Sequence, residues 1–146
     1  MKILIIGFSK IKFMPYLNFY LKNIDNTKHE IHVLYWNRDL KEENLDVCQG
    51  TTLHKFEEYQ RDSAQKFSKI INFIKFRKYV LKTIEKDKYD FLIVLHTIPG
   101  ILLRDILKNK YSNNYIFDFR DITYEKNHCK RLRRYFGKTT LGCHRC

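Results

Sequence analysis

Several things are missing from this 146-residue chain, and each absence removes a class of protein. No apolar run approaches the roughly 18 to 20 residues that cross a bilayer, so no spanning helix is expected. The opening MKILIIGFSK has one short apolar run, but no small-residue cleavage site follows it. The expected location is therefore cytoplasmic, with peripheral contact at the inner face of the cell membrane as an extension of that reading. Four cysteines in such a chain do not argue for a disulfide framework. The first strand turn, GFSKIK, has neither the G-x-G-x-x-G spacing that brings backbone to a pyrophosphate nor a P-loop. No cofactor is expected, and there is neither an internal repeat nor a low-complexity linker.

Acidic residues are missing from one region only. Residues 126–146 hold seven Lys or Arg (Lys126, Lys130, Arg131, Arg133, Arg134, Lys138, Arg145) and no Asp or Glu. The net charge of +12 therefore leaves only +5 on residues 1–125. That location weakens nucleic acid as a partner of the whole chain. A basic module whose tail grips nucleic acid or anionic lipid stays as the alternative function, with steeply salt-dependent affinity as its mark.

What is present is a succession of buried-strand and helix patterns. Lys2 to Phe8 is a continuous apolar run bounded by Gly7 and Ser9, as expected of a strand covered on both faces. Met14 to Ile24 reads as a helix, with Pro15 in its first turn and Leu17, Tyr20, Leu21 and Ile24 on one side. Ile31 to Trp36 is a second strand, and TTLHKFEEY (51–59) a candidate third. Ser63 to Lys86 carries a long helical pattern in which Phe67, Ile70, Ile71, Ile74, Leu81 and Ile84 form the apolar face and lysines fill the remainder. Such a helix suits either a solvated cover on a sheet or the surface of an anionic membrane. YDFLIVL (89–95) is an interior strand, IPGILLRDILKNKY (98–111) a helix, and YIFDF a last strand. The expected fold is α/β, a Rossmann-like, mainly parallel sheet with helices on both faces, over residues 1–125.

Ligands in such sheets gather outside the carboxyl ends of the strands. Gly7 and Ser9 leave the first strand there, His96 leaves the YDFLIVL strand, and Arg120, Asp121 and Glu125 follow the last. Gly7 either leaves room for a ligand or permits a tight turn. An imidazole at a strand end suits proton transfer or a hydroxyl contact, or is a satisfied loop histidine. A guanidinium binds oxyanions bidentately, but Arg120 also has Asp118, Asp121 and Glu125 within reach as ion-pair partners.

The order MKILII-G, helix, EIHVLYWNRD, YDFLIVLHT-PG-LL and YIFDFRDITYE resembles the N-terminal domain of GT-B glycosyltransferases. The similarity is to the bacterial family 4-type enzymes of capsular polysaccharide, O-antigen and exopolysaccharide synthesis. The distinctive element is Asp118-Phe119-Arg120-Asp121 with Glu125 after it. The resemblance implies an acceptor-side domain facing a saccharide or lipid-linked acceptor. It implies Asp121 and His96 as catalytic residues, and Gly7, Ser9, Arg120 and Glu125 as acceptor-binding ones. A nucleotide sugar would be held only by a C-terminal domain that this chain does not contain, so the chain alone is expected to be inactive.

The resemblance stops near residue 125. Isoleucine occurs 16 times before that point and never after it, while three of the four cysteines fall in the last 21 residues. Residues 126–146 are accordingly expected to be an out-of-frame or disordered tail on a truncated gene product. The rival reading is a zinc site, because Cys143-x-x-Cys146 with His128 and Cys129 offers four soft ligands.

Overall fold

Five parallel strands in the order β3-β2-β1-β4-β5 form the centre of the computed structural model, which describes residues 1–43, 45–61, 63 and 65–119. The strands are β1 (Lys2–Ile6), β2 (Glu30–Asn37), β3 (Thr52–Glu57), β4 (Phe91–Leu95) and β5 (Tyr115–Asp118). Between them lie α1 (Leu17–Asn23), α2 (Lys66–Asp87), α3 (Thr97–Leu102) and α4 (Arg104–Asn109), plus single 3-10 turns at Ile11–Phe13 and Asp46–Cys48. The Rossmann-like α/β expectation holds, including the third strand.

Alternation along each strand splits the core into two layers. Leu4, Ile6, Leu34, Trp36, Phe56, Leu92 and Val94 point to one face, where α2, α4 and the residue before α4 cover them through Phe76, Val80, Ile84, Leu107 and Leu103. Ile3, Ile5, Ile31, Val33, Tyr35, Ile93 and Leu95 point to the other, under Ile11, Met14 and Leu17. Four rings crowd the first layer: Phe76 lies 5.0 Å from Phe8, 5.8 Å from Trp36 and 5.5 Å from Phe56 between centroids.

Two features of the helices differ from expectation. The stretch 98–111 is not one helix but two, because the chain leaves helical geometry at Leu103 (φ −106°, ψ 6°). Arg77 of α2 holds the break, donating to the Leu102 carbonyl and pairing at 2.8 Å with both Asp105 oxygens. That guanidinium keeps the Asp105 carboxyl low, at about 2.

The second difference is the orientation of α2. Phe67, Ile70, Ile71 and Ile74 do not face the sheet; they are 73, 52, 42 and 49% exposed. The buried set is Asn72, Phe76, Val80, Thr83 and Ile84, on the opposite side of the helix. The helix carries two apolar stripes, and the sheet takes the one whose aromatic ring enters the Phe8–Trp36–Phe56 cluster. Leu81 is half-buried and only Ile84 of the expected face is fully packed. No helix among the described residues is long and apolar enough to cross a membrane.

Candidate functional site

The strand order reverses direction between β1 and β4: β2 and β3 build outward on one side, β4 and β5 on the other. At such a switch point the loops leaving the two central strands diverge and open a crevice at the carboxyl rim. Gly7, Ser9 and Lys10 leave β1 on one side of this switch point, and His96 leaves β4 on the other.

His96 has an unusual backbone, with φ 76° and ψ 156°. This region is essentially reserved for glycine, and holding another residue there costs about 1–3 kcal/mol. Its surroundings fix it from both sides. The backbone N–H donates to the Asp118 carbonyl at 3.2 Å, continuing the β4–β5 ladder one step past the strands. The imidazole meets the Tyr16 hydroxyl, with the two rings edge to face at 5.3 Å. One helical turn further on, Tyr20 donates to the Asp118 carboxylate at 2.9 Å. Tyr16, at the N-cap of α1, and Tyr20, four residues on within it, therefore reach across the rim to the ends of β4 and β5. The helical spacing of Tyr16 and Tyr20 makes this possible, since residues at i and i+4 share a face.

On the β1 side, a Cβ placed on Gly7 would collide with the Met14 sulfur and methyl, so the space above this glycine is filled by a core side chain. Its N–H continues to the Leu34 carbonyl at 2.8 Å. The hydroxyl oxygen of Ser9 is buried with no hydrogen-bond partner among the described residues. So are both polar atoms of Asn37, a fully buried residue at the end of β2. A buried amide with neither end satisfied is costly and uncommon, so among the described residues this end of the sheet has unused polar capacity.

Lys10 closes the β1 turn. It is 3% exposed, and its ammonium meets Asp39 at 2.6 Å and the Lys41 carbonyl at 2.9 Å. The pair lowers the Asp39 carboxyl below its ordinary value. Beside it the Glu43 carboxylate accepts from the Ile11 and Lys12 N–H groups, both at 3.4 Å. In dinucleotide-binding sheets the corresponding turn offers its N–H groups to phosphate. Here the chain's own carboxylate takes them, in keeping with the missing glycine fingerprint. Arg38 packs its guanidinium 4.7 Å from the Phe8 ring centre and 4.6 Å from that of Trp36, and donates to the Phe8 carbonyl at 2.6 Å.

Gly7, Ser9 and His96 thus share the rim that the sequence assigns to them. Arg120, Asp121 and Glu125 lie outside the described residues, as do the tail cysteines and His128. Sequence reasoning missed Tyr16 and Tyr20 as rim partners, and set Asp118 beside Arg120 rather than Tyr20. A tyrosine pair at i and i+4 beside a helix start was the available signal.

No protein-family model matches this chain, and no curated protein does. Solved structures do resemble it. Two crystal structures of the C-terminal domain of a hydrogenase from Pyrococcus furiosus align over 80% of this chain and 90% of that domain. Their TM-scores are 0.63 and 0.60, at 11% and 12% identity. The N-terminal domain of trehalose-6-phosphate phosphatase from Candida albicans aligns over 81% of this chain and 32% of its own length, with TM-score 0.46 and 19% identity. At these identities the likeness to the hydrogenase domain establishes an α/β fold and nothing about activity.

Proposed function

We propose that this chain is the acceptor-side half of a GT-B-type glycosyltransferase of cell-surface polysaccharide synthesis. In this reading it presents its carboxyl rim to a saccharide or lipid-linked saccharide. The observation that carries the reading is His96, a non-glycine residue in glycine-only backbone at the switch point, with its ring braced by Tyr16. Strained residues over-determined by their surroundings concentrate where ligands are handled. In this reading the imidazole meets an acceptor hydroxyl, and Ser9, whose hydroxyl oxygen has no partner among the described residues, takes a second. Arg120, Asp121 and Glu125 follow β5 in the chain, and their proposed roles are phosphate or hydroxyl binding, hydrogen-bond acceptance and acceptor binding. Transfer itself requires donor and acceptor in one geometry, and in this reading the chain supplies the acceptor's side of it.

The test is a titration of isotope-labelled chain, followed by NMR, with a short-chain prenyl diphospho-monosaccharide and, separately, with UDP-glucose. The expected result is shifts at His96, Tyr16 and Ser9 with the first ligand and none with the second. His96→Ala should weaken the first response at least roughly tenfold, the loss of about 1.4 kcal/mol that one hydrogen bond supplies. Shifts confined to other parts of the chain would remove the acceptor reading.

The outward stripe on α2 supports a second element of the proposal, peripheral contact with an anionic membrane. Phe67, Ile70, Ile71 and Ile74 project from the side away from the sheet, and the exposed Lys66, Lys75, Lys78 and Lys82 border them. Apolar residues that enter the acyl boundary beside lysines that meet lipid phosphates are the two requirements for interfacial binding. In vesicle co-sedimentation, membranes containing phosphatidylglycerol should retain the chain, and Ile70→Asp with Ile74→Asp should lower that partitioning at least tenfold, about 1.4 kcal/mol. Binding that survives the double substitution and vanishes on deletion of residues 126–146 would assign it to tail charge alone.

A further inference from the structure

A second cluster of polar side chains lies at the opposite, amino-terminal edge of the sheet, under the last turn of α2. His32 of β2 and His54 of β3 occupy positions whose neighbours two residues on, Leu34 and Phe56, belong to the core layer beneath α2. Their rings stack at 5.1 Å, with His32 Nδ1 2.8 Å from His54 Nε2. The Tyr89 hydroxyl sits 3.0 Å from the first of these nitrogens, 3.1 Å from the second and 3.3 Å from an Asp87 carboxylate oxygen. Ligand atoms from His32, His54 and Asp87 all lie within 4.8 Å of one another.

From these four groups we propose a divalent transition-metal site, with Zn²⁺ as the fitting ion and His32 Nδ1, His54 Nε2, Asp87 and the Tyr89 oxygen as its surroundings. The spacing fits. Tetrahedral Zn²⁺ with bonds of about 2.0–2.1 Å sets its ligand atoms roughly 3.3 Å apart. Of the six separations among these atoms, three are 3.0, 3.1 and 3.3 Å, and that between the two nitrogens, 2.8 Å, needs to open by about half an ångström, while the two from Asp87 to the histidines lie within 4.8 Å.

The second support is what stands behind the ligands. His32 Nε2 meets the Glu30 carboxylate at 2.8 Å, which fixes the tautomer and leaves Nδ1 with its lone pair aimed at the cluster. A carboxylate behind a histidine is the usual companion of a metal-bound imidazole. Glu30 is itself held by Lys2 at 3.1 Å. His32 is only 4% exposed and His54 is half-buried, and an imidazole pair backed by one carboxylate and faced by another has the mixed nitrogen and oxygen character that zinc selects. In the metal-free chain one hydrogen-bond scheme satisfies the group: His54 Nε2–H donates to His32 Nδ1, and Tyr89 donates to Asp87. Metal binding moves the His54 proton from Nε2 to Nδ1, leaving the ring neutral. The bound ion ties the end of α2 to β2 and β3, and so has a structural effect.

The experiment uses the full chain, freed of metal with a chelator and then supplied with Zn²⁺ or Co²⁺ alone. The expected result is one metal per chain, a tetrahedral Co²⁺ spectrum without sulfur-to-metal charge transfer, and a raised thermal midpoint. All three should persist when Cys129, Cys143 and Cys146 are changed to serine. His54→Ala and Asp87→Asn should each abolish stoichiometric binding, and Glu30→Gln should weaken it about 10- to 100-fold. Asp87→Asn and Glu30→Gln alter groups that are not deeply buried, so the test does not depend on His54→Ala folding. Binding that follows the cysteines, or that is unchanged by Asp87→Asn and Glu30→Gln, overturns the assignment, as does failure to bind either ion.

Discussion

Replacing Phe76 with alanine should destabilise the fold by about 3–5 kcal/mol, the range for a fully buried aromatic side chain. Its ring is fully buried and touches both the sheet layer and the aromatic group around Trp36. Little can collapse into the vacated space, because Phe8, Trp36 and Phe56 are held in place by their strands and by one another. Typical domains have only about 5–15 kcal/mol in total. The loss should therefore be visible as a large fall in the urea midpoint at unchanged slope. Ile70→Ala, six residues earlier on the same helix, should change stability by no more than about 0.5 kcal/mol, as solvent-facing substitutions do. Similar costs at the two positions would mean that α2 packs by its other stripe, and the membrane proposal would lose its surface.

At His96 the expected result is an inversion of the usual ranking of substitutions. Alanine is ordinarily better tolerated than glycine, because glycine loses more backbone freedom on folding. At φ 76° and ψ 156° the order should reverse, with His96→Gly more stable than His96→Ala by about 1–3 kcal/mol. Both variants lose the contact with Tyr16, so the difference between them isolates the backbone. Measured by thermal or urea unfolding, His96→Gly should match or exceed the parent chain while losing the acceptor response. Equal stability for the two variants would show a relaxed backbone and deprive the rim of its main sign of function.

The strands were legible where burial on both faces leaves a continuous apolar run, as in KILII, IHVLYW and FLIVL. β3 was harder because its outer face is polar: of Thr52–Glu57 only Phe56 is fully buried. The orientation of α2 was not legible at all. Its sequence offers two apolar stripes of similar strength, and only the three rings waiting beneath Phe76 decide between them. The break at Leu103 was hidden for a related reason. Arg77, which holds that break through the Leu102 carbonyl and Asp105, comes from a different helix. The rim itself followed from fold class alone, since a parallel sheet dictates where its strand ends gather. The histidine cluster escaped notice because its members come from β2, β3 and the end of α2. The clue was available nonetheless: His32 and His54 sit at inward positions of their strands, where leucine or phenylalanine would be ordinary.

The position of β1 has a consequence for how the chain is made. It is the central strand, paired on one side with β2 and on the other with β4. The first partner arrives soon, but 84 residues separate Ile6 from Phe91, the start of the second. At ribosomal speeds of about 5–20 residues per second, that is a delay of roughly 4 to 17 s. Throughout it the most apolar strand of the nascent chain has one edge of unpaired N–H and C=O groups open to any other strand. The long α2 is synthesised in that interval. Its sheet-facing side has β2 and β3 to settle on, but β1 stays half-paired until Phe91–Leu95 has left the ribosome.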